Sequence, residues 1–240
     1  MKRPCRSSRK SATDGASAGR IGIWDRSPGG CATYDGARAH ARKSLAIFQE
    51  LGSRWGIVLN LETLGKFALD QGDWQSARAH FEECLEVAQE VSYRFYLTGV
   101  LLQLGYTAIK QGDYAGAYSF LAESLAIRLA LGSKPDVGGP LDFLAVLATA
   151  QGEYARAVRI LGAAEAFREH PRPVLIHEVF RYETLIQSEQ DRLLTEARAA
   201  LGEEAFHVAW TEGQAMTLEQ AAGYYLSAEC LASLAEPHLA

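Results

Sequence analysis

Small and large apolar residues alternate along the chain at the period of one helix face, and the pattern returns every 40 residues. An aromatic at Tyr34, Trp74, Tyr114 and Tyr154 is followed three places on by Ala37, Ala77, Ala117 and Ala157. Four places further stand Ala41, Phe81, Leu121 and Leu161, and three beyond those Ser44, Cys84, Ser124 and Ala164. A second helical pattern precedes each later aromatic. Leu61, Leu64, Gly65 and Ala68 match Leu101, Leu104, Gly105 and Ala108, then Leu141, Leu144, Ala145 and Ala148. Between the two patterns lie Gln71-Gly72-Asp73, Gln111-Gly112-Asp113 and Gln151-Gly152-Glu153. Each glycine suits the positive φ of a helix C-terminus, and each acid is placed to cap the helix that follows. A Gly or Ala inside the first helix implies two backbones in close approach, because an unused helical glycine costs up to about 1 kcal/mol. These are antiparallel helical hairpins.

The same residues resemble tetratricopeptide repeats of a longer, forty-residue variety. The resemblance spans residues 31–170 and implies an all-α, right-handed solenoid of antiparallel hairpins. The stretches 50–56 and 131–133 are similar to the inter-repeat turns of that variety. It fades at His170-Pro171-Arg172-Pro173, where proline interrupts the helical pattern. Residues 171–240 are expected to form a helical C-terminal extension. It begins with a helix over about 174–200, then a short helix near 202–211 with Phe206 and Trp210 at i, i+4. A Thr217-x-x-Gln220 capping box opens the last helix. The run from Leu201 to Ala221 is similar to the ending of large bacterial regulators that join a nucleotide-hydrolysing module to tetratricopeptide repeats. Some of these resemble LuxR-type transcriptional regulators and others predicted signalling ATPases. The resemblance implies a sensor or scaffold segment of such a protein, without its ATPase and DNA-binding modules.

Charge divides the chain. Residues 1–43 hold ten Lys or Arg against three Asp, net +7, so a total of −5 leaves −12 on the remainder. Gly15, Gly19, Gly22, Pro28, Gly29 and Gly30 oppose a stable helix over 14–30, and residues 1–30 are expected to be a disordered basic segment. The helix over about 35–50 then lacks its hairpin partner. Stacked hairpins hide their end faces under polar capping units, so an uncapped first helix implies more array upstream, or self-association through that helix. A basic, Ser- and Gly-rich arm could hold phosphates, but the acidic total does not favour a nucleic-acid partner. No uncharged apolar run reaches the ~18 residues of a spanning helix, and the first thirty residues lack a signal-type apolar stretch. No membrane partner is expected, and the cytoplasm is the expected compartment.

Chemistry-bearing motifs are lacking. Gly65-Lys66 is followed by Phe67 and lies within a helical pattern, where no phosphate-cradling loop forms. Cys5, Cys31, Cys84 and Cys230 show no metal or redox spacing, and Cys84 reads as a small buried hydrophobe. The six histidines show no ligand spacing, and His40 and His80 are repeat equivalents at a surface position. No nucleophile elbow occurs. No cofactor, metal or catalytic residue is expected, and the chain reads as a non-catalytic module.

The one candidate site is the concave groove, which in tetratricopeptide arrays is lined by the first helix of each hairpin and takes peptides. At i, i+4, i+8 spacing the lining is Glu62, Lys66 and Asp70, then Leu102, Tyr106 and Lys110, then Asp142 and Val146. A protein or peptide partner is expected there. The Lys/Asn clamp by which some relatives hold a chaperone's terminal carboxylate is not reproduced, and Glu62 and Asp142 are expected to repel such a ligand.

Overall fold

A computed structural model describes residues 34–90, 94–132, 137–168 and 179–225, and every regular element in them is a helix. In chain order these are α1 (Tyr34–Glu50), α2 (Arg54–Asp70), α3 (Trp74–Glu90), α4 (Arg94–Gln111) and α5 (Tyr114–Ala130). There follow α6 (Gly138–Ala150), α7 (Tyr154–Phe167), α8 (Val179–Leu201), α9 (Glu203–Gln214) and α10 (Leu218–Tyr225). The expected disorder of residues 1–30, the break at Pro171 and Pro173, and the start of a helix near 174 lie outside the described residues. Helices α2–α3, α4–α5 and α6–α7 are the three hairpins, and α3 and α5 each pack on the first helix of the next one.

The turns inside the hairpins share one hydrogen-bond scheme. Gly72, Gly112 and Gly152 have φ of 72°, 78° and 78°. Their amides donate to Leu69, Ile109 and Thr149, and the next residue's amide reaches back to Ala68, Ala108 and Ala148. This is the Schellman closure, which satisfies the last carbonyls of the first helix. The Asp73 carboxylate then accepts the Ser76 amide at 3.1 Å, and Asp113 accepts that of Gly116 at 3.0 Å. Glu153 departs from the expected cap: it makes no capping bond and pairs instead with Arg156 at 2.7 Å. Its extra methylene carries the carboxylate past the amide that an aspartate reaches.

Inside the hairpins, the helical glycines serve a different contact from the one the sequence suggests. A Cβ at Gly65 would stand 2.5 Å from the Phe81 ring, and one at Gly105 would stand 2.6 Å from Leu121. Each glycine is thus a socket for a large side chain of the second helix, not a site of backbone contact. Phe81 and Leu121 are wholly buried. Cys84 is buried just below Phe81, and its Sγ donates to the Val58 carbonyl at 3.5 Å; burial pushes the thiol up to about 12.

Backbone does meet backbone where α9 crosses α7. A Cβ on Gly213 would overlap the Arg159 carbonyl oxygen, and one on Gly162 would lie 2.5 Å from that of Trp210. Arg159 also pairs with Glu212 at 2.5 Å across the same crossing. The expected capping box opens α10: Gln220 donates its amide to Thr217 Oγ1 at 3.2 Å, and Thr217 donates its own to Gln220 Oε1 at 2.9 Å.

These glycines differ enough to be told apart by stability. Gly213→Ala forces two backbones apart and should cost about 1–3 kcal/mol, in the range of an overpacked core. At Gly99, on α4, a methyl group in the Cβ position would meet nothing among the described residues within 4 Å. Gly99→Ala should therefore stabilise the chain by about 0.5–1 kcal/mol through helix propensity. Urea denaturation followed by circular dichroism checks both signs.

Candidate partner groove

The first helices of the hairpins, α2, α4 and α6, share the face that carries the expected groove residues. On α2 that stripe begins earlier than the i, i+4, i+8 spacing suggests: Trp55, Leu59, Glu62, Lys66 and Asp70 follow one another at i, i+4, i+7, i+11 and i+15. Trp55 is 44% exposed, and its ring meets Tyr96 of α4 edge-on with centroids 5.2 Å apart. The Tyr96 hydroxyl donates to Glu62, which also pairs with Lys66. Glu62 and Lys66 are half-buried and Asp70 is exposed. At the matching place on α4, opposite this stripe, Gly99 leaves a notch. The stretch from Trp55 to Asp70 is the open part of the face.

Over α4 and α6 the face is covered, which corrects the expectation that its residues line an open groove. Leu102, Tyr106, Asp142 and Val146 are 2%, 4%, 1% and 2% exposed. The cover is α8, whose Ile186, Leu193 and Ala197 are buried in the same cluster as Leu102, Tyr106 and Val146. Between those apolar residues sit two polar ones, Glu189 and Gln190, both buried. Tyr106 Oη donates to Glu189 Oε1 at 2.8 Å and Lys110 Nζ donates to the same oxygen at 2.7 Å. Arg192 donates to Glu189 Oε2 at 2.7 Å. The Lys110 ammonium also lies over the Tyr106 ring, 4.9 Å from its centroid.

Asp142 is held as firmly. Arg168 places one nitrogen 2.6 and 2.7 Å from its two oxygens, and Gln190 Nε2 donates to Oδ1 at 2.6 Å. Its charge is neutralised, as that of Glu62 is by Lys66. The expected repulsion of a carboxylate ligand by these two acids therefore loses its basis. A buried carboxylate is tolerated only when paired and hydrogen-bonded, and both conditions hold at Asp142 and Glu189.

Three further hydrogen bonds, from two arginines, have no counterpart in the pattern predicted from the sequence. Arg38 donates to Gln71 Oε1 at 3.0 Å, and Arg78 donates to Gln111 Oε1 at 3.1 Å and to Asp113 at 3.0 Å. Each arginine thus ties its helix to the next hairpin turn, which gives Gln71 and Gln111 a role beyond turn geometry. The signal was present, since Arg38 and Arg78 are themselves 40 residues apart. His80, expected at the surface, is half-buried. Burial first, then Arg42 and Arg38, lower its pKa against the opposing effect of Glu83.

The family model described as Tetratricopeptide repeat matches residues 61–92, which carry the end of α2, its turn and α3. No curated protein matches the chain. With hairpins, turns and this match together, the fold is an all-α, tetratricopeptide-like helical solenoid. Among the described residues no group of three or more His, Cys, Asp or Glu could hold a metal ion. No described helix is long and apolar enough to cross a membrane.

Burial acts to raise the Glu189 carboxyl, but the bond and charge of Lys110, the Tyr106 hydroxyl and Arg192 outweigh it. The carboxyl is held below the ordinary glutamate value of 4.5. A depressed folded-state pKa contributes stability above the unfolded value and loses it as pH falls through the folded one. Acidification from pH 5 to pH 3 should therefore loosen α8 from α4. Glu189→Gln should be less stable at pH 7 and lose less on acidification than the parent, as read from thermal midpoints across that range.

Proposed function

We propose that this chain is a non-catalytic protein–protein interaction or ligand-sensing module that captures its partner on the α2 side of the concave face. The reading is supported above all by the exposed Trp55 at the head of the Glu62–Lys66–Asp70 stripe. Large aromatics at half-open positions are the residues on which peptide recognition concentrates. A peptide lying there would place an apolar side chain against Trp55 and in the notch at Gly99, and polar groups along Glu62, Lys66 and Asp70. Tetratricopeptide repeats typically mediate such contacts, and the matched repeat includes Glu62, Lys66 and Asp70 of this stripe.

In this reading, the array over 31–170 is the recognition element and residues 171–240 are an extension that closes its far half through α8. The wider setting we propose is the C-terminal part of a bacterial transcriptional or signalling regulator of the LuxR-type or predicted-ATPase kind, acting in the cytoplasm. It is supported by the resemblance of the run from Leu201 to Ala221. A stand-alone adaptor using the same surface is the alternative, and genomic context separates the two. A basic arm contacting nucleic acid gains no support from the described residues.

Affinity capture with the parent and with Trp55→Ala plus Lys66→Glu tests the assignment. Proteins held by the parent should be lost by at least tenfold with the double variant, assayed at a temperature where circular dichroism shows both chains fully folded. An unchanged set of captured proteins would remove the α2 surface from consideration.

A further inference from the structure

In each hairpin one face of the second helix is sealed by the first helix. Ala77, Phe81 and Cys84 on α3, and Ala117, Leu121 and Ser124 on α5, are all 0% exposed. Cys84 donates to the Val58 carbonyl and Ser124 to that of Thr98, so even the polar atoms are zipped. Helix α1 carries the same face but, among the described residues, is covered on the α2 side alone. Ala41 reaches 8% exposure, while its neighbours Ala37 and Ser44 are only half-buried. Away from α2, Ile47 is 54% and Leu51 71% exposed, whereas Val87 and Ile127, the repeat equivalents of Ile47, are half-buried.

Charge is arranged around this apolar strip in a particular order. Lys43 lies one turn before Ile47 and Glu50 almost one turn after it, both exposed, with Ala46 between. Neither Lys43 nor Glu50 has an ion-pair partner among the described residues. Arg38 and Arg42 do not belong to the strip: Arg38 donates to Gln71, and Arg42 is near enough to His80 to help lower its pKa.

We propose that α1 pairs with α1 of a second copy, antiparallel, about a two-fold axis passing between Ala46 and Ile47. That axis sets Ile47 against the partner's Ala46, a large residue into a small one, and Lys43 against the partner's Glu50. Both relations occur twice, as an isologous interface requires. A parallel pairing would set Lys43 against Lys43 and Glu50 against Glu50. The apolar centre supplies affinity and the two charge pairs select the direction. One helix pair buries less than the ~1,200 Å² of a stable interface, so the dimer is a weak one that forms only at high concentration. This surface is separate from the α2 stripe of the proposed function, and partner capture there neither needs it nor reports on it.

Sedimentation equilibrium of the full chain from about 2 to 200 µM decides the matter. The parent should rise from the 26.2 kDa monomer toward twice that mass. Ile47→Glu should stay monomeric throughout. Lys43→Glu and Glu50→Lys should each weaken association at least tenfold, and the two combined in one chain should restore it to within about threefold. Circular dichroism should show all four variants folded, since every altered side chain is exposed. A parent that stays monomeric at 200 µM overturns the proposal. So does a double variant that associates no better than the singles, which would mean that the face serves another occupant.

Discussion

The Glu189 carboxylate is the pivot of the structure, because it is charged, buried and brought from α8 into a face built by α4. Such a group is stable only where cations and donors already wait for it. Tyr106 and Lys110 stand one turn apart on α4 and reach the same oxygen, while Arg192 takes the other. Four residues from the Tyr106 position in the next hairpin, Asp142 receives Gln190 from the adjacent position of α8. Two consecutive residues of α8 therefore read two consecutive hairpins. Ile186, Leu193 and Ala197 are buried beside them, and the polar pair fixes the register of the helix along the face.

That arrangement divides the face formed by α2, α4 and α6 in two. Over α4 and α6 the chain supplies its own helix, so nothing else enters without displacing it. On α2 the equivalent stripe lacks such a cover among the described residues, and Trp55 with its Tyr96 support stands in the open. The array beneath is made regular by three small devices. Schellman turns at Gly72, Gly112 and Gly152 close the hairpins, glycine sockets receive Phe81 and Leu121, and Arg38 and Arg78 reach the next turn. Each device acts over neighbouring hairpins only, as expected of a quasi-one-dimensional repeat.

The parts legible in the sequence are those set by local spacing. Turn glycines, the Thr217–Gln220 capping box, the buried Cys84 and the alternation of small and large residues all act within a hairpin or a single turn. Contacts between distant segments were not legible. Nothing near Tyr106 or Asp142 announces that residues 83 and 48 positions away will cover them. A hint lay in α8 itself, where Glu189 and Gln190 interrupt an apolar stripe and so demand buried partners. At Gly65 and Gly105 the spacing predicts a close approach of two backbones, and only the facing Phe81 and Leu121 side chains reveal that each glycine is a socket. Glu153 shows the limit of treating acids alike, since one methylene moves the carboxylate off the amide.

A double-mutant cycle on Lys110→Met and Glu189→Gln tests most directly whether α8 is anchored in the groove by this carboxylate. Urea denaturation of the parent, the two single variants and the double variant gives the coupling between the two sites. For a close, largely buried pair the expected coupling is about 1–3 kcal/mol, with the double variant losing less than the singles together. Strict additivity, with no coupling beyond experimental error, would mean that Lys110 and Glu189 do not meet and that α8 lies elsewhere.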